Sequence, residues 1–171
     1  MTILYIRHST DNGVCTYSHD CDLTTEGKRL AREEGEKILK EYGLPSRIYV
    51  SPFHRTLQTV KAMLNGKETE IIKENRLSRY FSSREKKNPQ VHSDTLQEDI
   101  PIYESYSKFK RRIRHFNTYV TRRKHNGVIW CVTHSTVYKQ LAELNEKKIP
   151  SYIPFMHHIT LKWCEKCETY H

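Results

Sequence analysis

Ile3-Leu4-Tyr5-Ile6 runs directly into Arg7-His8. Four successive apolar residues, two of them β-branched, read as a strand buried on both faces, the pattern of an inner strand in a parallel sheet. Arg7 and His8 then emerge at its carboxyl end, the edge where α/β folds place ligands. Two further segments repeat the arrangement. Arg47-Ile48-Tyr49-Val50 leads into Ser51-Pro52-Phe53-His54-Arg55-Thr56, and Val128-Ile129-Trp130-Cys131-Val132 leads into Thr133-His134-Ser135-Thr136. Three buried strands therefore bring two histidines and two arginines to one rim.

The intervening segments predict helices. Leu23-Thr24-Thr25-Glu26-Gly27 opens one, with Thr24 or Thr25 as N-cap and Glu26 in the first turn. Leu30, Ala31, Ile38, Leu39 and Tyr42 give it an apolar face, and Gly43 ends it. A second helix spans about Phe53 to Leu64, with Pro52 suited to its first turn and Arg55 near its positive end. Tyr106, Phe109, Ile113, Phe116 and Val120 recur at spacings of three and four, predicting a helix over about residues 103–124. A fourth follows Ser135 to about Asn145, and a final strand lies near His158 to Trp163. Glu70-Ile71-Ile72-Lys73 is a candidate third strand. The expected architecture is α/β: a three-layer sandwich, a mostly parallel central sheet with helices on both faces.

The 171 residues suffice for one domain with a proper core, residues 1–171 taken together. With no apolar run long enough to span a bilayer and no signal-peptide pattern, a soluble cytoplasmic protein without a membrane partner is expected. Five cysteines at irregular spacing do not make a disulfide framework. Cys131 reads as a small core residue. The net charge of +9 favours an anionic partner or substrate. Part of that charge lies in Lys108-Phe109-Lys110-Arg111-Arg112-Ile113-Arg114-His115 and Arg122-Arg123-Lys124, read as a solvated helix face. Nucleic acid is a possible partner on this account, though not the favoured one.

Singly, His8 or His134 would more often be a hydrogen-bonded structural histidine, and an arginine at a strand end is often a surface ion-pair partner. Together they suggest phosphoryl chemistry. Guanidinium groups cannot act as bases but offer fork-shaped donors to phosphate oxygens. A neutral imidazole whose one N–H is held by the backbone presents a lone pair at the other nitrogen, so one of the histidines could attack phosphorus.

These residues resemble the histidine phosphatase superfamily, in its phosphoglycerate mutase-like branch. Arg7-His8 is similar to the family's Arg-His-Gly opening, with Ser9 in place of the glycine. Leu23-Thr24 with Gly27 resembles its Leu-Thr-x-x-Gly helix start. Ser51-Pro52 with Arg55-Thr56 and Gln58-Thr59 resembles its Ser-Pro-x-x-Arg-Thr-x-Gln-Thr motif, and His134 its second histidine. The resemblance implies that His8 is the nucleophile of a phosphatase, that Arg7, Arg55 and His134 surround the phosphoryl oxygens, and that a phosphohistidine forms and is hydrolysed. Asn12, Arg79 and Ser135 complete the expected site as substrate-binding positions.

One departure bears on mechanism. Arg79 occupies the position, two residues after Leu77, where the family commonly carries a glutamate as general acid. Either Glu85, Asp94 or Glu98 supplies the proton, or the leaving group needs little help. No cofactor and no catalytic metal is expected, because the arginines and His134 already offset the phosphoryl charge. A phosphoglycerate mutase-type phosphotransferase and a non-catalytic phosphate- or nucleic-acid-binding module are the alternatives. Cys164-x-x-Cys167 with His171 has partial zinc-ligand spacing but lacks a near fourth ligand, and reads as solvent-facing thiols.

Overall fold

The computed structural model describes residues 1–12, 21–82, 103–122 and 124–171. Its centre is a six-stranded sheet built from β1 (Thr2–Arg7), β2 (Arg47–Val50), β3 (Glu70–Lys73), β4 (Val128–Thr133), β5 (His158–Cys164) and β6 (Thr169–Tyr170), in the order β3-β2-β4-β1-β5-β6. The first four strands pair in parallel, while β5 runs antiparallel to β1 and β6 antiparallel to β5.

Side chains of a strand alternate between faces, so the continuous apolar run of β1 feeds two cores at once. Leu4 and Ile6 join Ile48, Val50, Trp130 and Val132 beneath α1 (Thr25–Tyr42) and α2 (His54–Leu64), which contribute Ala31, Ile38, Val60 and Met63. Ile3 and Tyr5 join Tyr49, Ile129 and Cys131 beneath α3 (Tyr106–Thr121) and α4 (Ser135–Leu144), which contribute Phe109, Ile113, Phe116 and Leu141. Each Val, Leu, Ile, Phe or Met side chain among them is worth about 1.5–3 kcal/mol on burial. Among the described residues two helices thus cover each face, and the expected three layers are present.

The helix ends follow local chemistry. Thr24 Oγ1 accepts from the Gly27 amide at 2.9 Å and so caps α1, whose other end is Gly43 at φ +84°. At Gly35 a Cβ would stand 2.5 Å from Met63 Cα, so this glycine sets how closely α1 and α2 pack. Pro52, expected in the first turn of α2, instead precedes its N-cap, Phe53. The start of α3 is also later than expected: Ser105 caps it at the Lys108 amide, and Glu104 folds back against Arg112. That ion pair is almost buried, with side-chain exposures of 6% and 11%. Arg112 therefore does not belong to a solvated basic face. The short β6 was not foreseen. Residues after Lys73 begin with a 3-10 turn, Asn75–Leu77, whereas Glu85, Asp94 and Glu98 lie outside the described residues. No described helix is long and apolar enough to cross a membrane.

Candidate active site

The sheet order β2-β4-β1 places the ends of three parallel strands side by side. Arg7 is in register with Thr133, and Val50 with Val132. The ladder continues one residue further: the His8 amide donates to the Thr133 carbonyl at 2.9 Å and the Ser51 amide to the Val132 carbonyl at 3.0 Å. His8, Ser51 and His134 therefore sit together at the carboxyl edge, all three buried. The ring centroids of the two histidines are 5.2 Å apart.

Hydrogen-bond partners fix both imidazoles. His8 Nδ1 lies 2.7 Å from the Ser9 carbonyl oxygen, which can only accept, so Nδ1 carries the proton and Nε2 the lone pair. Among the described residues Nε2 makes no hydrogen bond. Arg55 donates from a terminal nitrogen to His134 Nδ1 at 3.2 Å, leaving His134 Nε2 to donate to Ser51 Oγ at 2.8 Å. Burial, reinforced by the charge of Arg55 and opposed by the Ser9 contact, pushes the His8 pKa down to about 3, with Arg7 and Arg79 adding smaller contributions. Burial and the Arg55 charge likewise hold His134 well below the ordinary histidine value. Both rings are neutral near pH 7.

The arginines flank this pair. Arg7 donates to the Ile153 carbonyl and stacks over Phe155 with its guanidinium carbon 4.0 Å from the ring centroid. Its buried Nε has no hydrogen-bond partner among the described residues, which leaves a donor for a guest anion. Arg55, on the first turn of α2, is 4% exposed, and its Nε lies 3.6 Å from a carboxylate oxygen of Asp11. Arg79 lies over Phe81 at 4.8 Å, and its charge reaches both histidines. Phe81 tilts against Phe53, and the Phe53 and His134 rings meet at a steep angle with centroids 5.0 Å apart. Three arginines thus lie close enough for their charges to act on the neutral His8 ring, an arrangement suited to holding a phosphoryl group within reach of a nucleophile.

Much of the polar remainder holds these groups in place. Thr59 Oγ1 donates to the Arg55 carbonyl and accepts from the Ser9 amide. Thr56 Oγ1 donates to the carbonyls of Ser51 and Phe53, fixing the strand-to-helix turn. Gln58 accepts from the Leu23 amide at 2.7 Å, joining α2 to the start of α1. Ser9 Oγ donates to the Gly27 carbonyl, so the hydroxyl faces the scaffold rather than the site. At Gly27 a Cβ would stand 2.0 Å from the Thr10 oxygen, which explains the glycine there.

The family model for the histidine phosphatase superfamily, branch 1, matches residues 3–161. The chain belongs to that superfamily. No curated protein matches the sequence significantly. Among solved structures, YhfR of Bacillus stearothermophilus superposes with a TM-score of 0.71 at 18% identity, covering 99% of this chain and 94% of that one. A phosphoserine phosphatase of Entamoeba histolytica, solved with 3-phosphoglyceric acid, gives 0.67 at 20% identity, covering 99% and 93%. The protein histidine phosphatase SixA, solved with tungstate, gives 0.64 at 14% identity, covering 100% and 94%. At these identities the likeness speaks for the fold.

Of the expected site residues, His8, Arg7, Arg55 and His134 converge, and Arg79 lies near them. Ser135 is half-buried at the start of α4, and Asn12 is exposed, its amide donating to the Asp22 carbonyl at 3.3 Å. Neither makes a hydrogen bond to the central four among the described residues. The reading of the sequence passed over Asp11, Ser51 as a partner of His134, and the wall formed by Ile153 and Phe155. The last had a weak signal: Ile149-Pro150-Ser151-Tyr152-Ile153-Pro154-Phe155 is an aromatic and proline-rich link without helix or strand periodicity.

Proposed function

We propose that this protein is a phosphatase that passes the phosphoryl group of its substrate through His8 to water, without a metal ion. The lone pair of His8 Nε2 attacks phosphorus, the bond to the leaving oxygen or nitrogen breaks, and that atom takes the electron pair. Water then attacks the phosphohistidine, the P–N bond returns its electrons to Nε2, and inorganic phosphate leaves with the proton balance of the attacking water. Arg7 and Arg55 supply charged donors to the phosphoryl oxygens and offset its charge, while His134, neutral and donating its one N–H to Ser51 Oγ, would join them by exchanging that bond for a phosphoryl oxygen. The observation that carries the reading is the contact of His8 Nδ1 with the Ser9 carbonyl, 2.7 Å, which leaves the lone pair on Nε2 of a ring that the arginines flank.

The substrate class follows from the leaving group. Arg79 stands near the histidines, and Asp11, the carboxylate closest to Arg55 among the described residues, is engaged by that arginine. Neither favours a built-in general acid. Substrates whose leaving group departs unprotonated or already protonated suit such a site: aryl phosphates such as phosphotyrosine, phosphoanhydrides and phosphoramidates. Asn12, Arg79 and Ser135 are the positions from which the rest of an anionic substrate would be held.

The test is hydrolysis of para-nitrophenyl phosphate by wild type and His8→Ala, with and without chelator, coupled to acid-quench detection of an acid-labile phosphoenzyme. Chelator-resistant turnover and a phosphoenzyme, both lost in His8→Ala, are expected. Turnover surviving in the folded His8→Ala protein would overturn the route through this residue.

A further inference from the structure

β5 ends at Cys164 and forms a hairpin with β6 through the turn Glu165-Lys166-Cys167-Glu168, and His171 follows β6 directly. From sequence these residues read as solvent-facing thiols. They do face solvent in part, and the fold also gathers them. One ligand atom from each of Cys164, Cys167 and His171 lies within 4.8 Å of the other two, and Cys167 Sγ stands 2.9 Å from His171 Nε2. The convergence is imposed by the backbone: Lys162 and His171 exchange two hydrogen bonds, 2.8 and 3.0 Å, which return His171 to the level of the turn. Cys164 is half-buried, while Cys167 and His171 are exposed, so an ion could enter from solvent.

This cluster is separate from the phosphoryl site. Because β5 is antiparallel to β1, with Lys162 opposite Thr2, Cys164 lies at the sheet edge away from His8. It also lies beyond residues 3–161, the part that matches the superfamily.

We propose that Cys164, Cys167 and His171 form a binding site for a zinc-class divalent ion, with one coordination position open to solvent. Two thiols lose their protons to solvent and form two metal–sulfur bonds, the neutral imidazole gives its Nε2 lone pair, and water fills the fourth position. The two thiolates balance the charge of the ion. Thiolate and imidazole donors select zinc or a similar transition metal over magnesium or calcium. Bound there, the ion would tie the turn after β5 to the end of β6, the short edge strand of the sheet.

The experiment is titration of reduced, metal-free protein with Co²⁺, followed by Zn²⁺. A thiolate-to-cobalt charge-transfer band saturating at a single equivalent, the intense visible bands of four-coordinate cobalt, and their displacement by Zn²⁺ with release of protons are expected. Zn²⁺ should also shield Cys164 and Cys167 from alkylation in wild type, a readout that needs no variant. Cys167→Ser and His171→Ala should lose the band while hydrolysis of aryl phosphate stays unchanged. Absence of the band when both thiols are titratable, a band that survives in both variants, or conversion of the pair to a Cys164–Cys167 disulfide with Co²⁺ present would overturn the proposal.

Discussion

His8 Nδ1 stands 2.7 Å from the carbonyl oxygen of Ser9, the residue that follows it in the chain. A backbone carbonyl cannot donate, so this contact chooses the tautomer without help from a carboxylate. Burial and the neighbouring arginines then push the His8 pKa down to about 3. His8 Nε2, the nitrogen proposed as nucleophile, is therefore unprotonated throughout the mildly acidic range. The acid limb of kcat/KM for an aryl phosphate should follow ionisation of the substrate rather than a group near 6.5, and activity should persist to about pH 4. A pH–rate profile with two substrates of different phosphate pKa checks this: the limb should move with the substrate. A limb fixed near pH 6.5 for both would contradict it.

The same two depressed histidines tie stability to pH. Above about pH 6.5 neither the folded nor the unfolded chain protonates them, so they add no slope. Below it the unfolded chain binds protons that the native state refuses, and stability falls as pH drops toward the folded value, about 3 for His8. Each buried histidine contributes a slope of at most about 1.4 kcal/mol per pH unit in that window. Urea unfolding midpoints across the window should decline more steeply for wild type than for His8→Asn. Parallel curves would show that His8 is not the group that titrates.

The strand ends were legible from sequence because a buried strand must be apolar on both faces, so the point where charge begins marks the rim. Ile6-Arg7 and Val132-Thr133-His134 are such boundaries. Helices α1 and α2 were legible for a similar reason: cap, period and stop residue all fall in one short window. What escaped were groups whose placement depends on distant chain. Asp11 meets Arg55 across 44 residues, and Ile153 meets Arg7 across 146. Arg112 looked like one more solvated cation, since nothing in its own helix distinguishes it from Arg111 or Arg114. Only the return of Glu104 and the carbonyls beside Arg79 does.

Gly27 and Gly43 give a paired prediction. A Cβ at Gly27 would meet the Thr10 carbonyl oxygen at 2.0 Å, a backbone atom that cannot move without shifting the chain two residues after His8. Gly27→Ala should cost about 1–3 kcal/mol or more and lower kcat/KM of the folded fraction. Gly43, at φ +84° with nothing within 4 Å, is strained by a side chain but remote from the rim. Gly43→Ala should cost about 1–3 kcal/mol with kcat/KM unchanged. Denaturation curves and kinetics on the two proteins separate the effects.

Arg112 donates to the carbonyls of Arg76 and Ser78 at 2.6 and 3.0 Å, while Thr133 Oγ1 donates to that of Leu77 at 2.7 Å. The chain leading to Arg79 is thus held at three consecutive carbonyls. Arg112→Met leaves Glu104 buried and unpaired and should cost about 3–5 kcal/mol. Adding Glu104→Met removes the stranded charge and should recover most of that stability, yet the carbonyls of Arg76 and Ser78 still lack their donor. In the double variant KM should therefore stay raised while the melting temperature returns toward wild type. Recovery of both together would mean that Arg112 serves stability alone.

The last prediction concerns the leaving group. Proton donation by an internal acid makes the rate nearly insensitive to leaving-group pKa, whereas unassisted departure makes it steeply dependent. With Arg79 near the histidines and Asp11 engaged by Arg55, the second behaviour is expected. Across a series of substituted phenyl phosphates, log kcat/KM should fall steeply as phenol pKa rises, and alkyl phosphates should be poor substrates. Asp11→Asn should weaken all members by a similar factor, because its loss disturbs Arg55 rather than removing a proton donor. A flat series in wild type that becomes steep in Asp11→Asn would make Asp11 the acid. A flat series indifferent to Asp11 would assign the proton to Glu85, Asp94 or Glu98, and substitution of each by its amide would identify which.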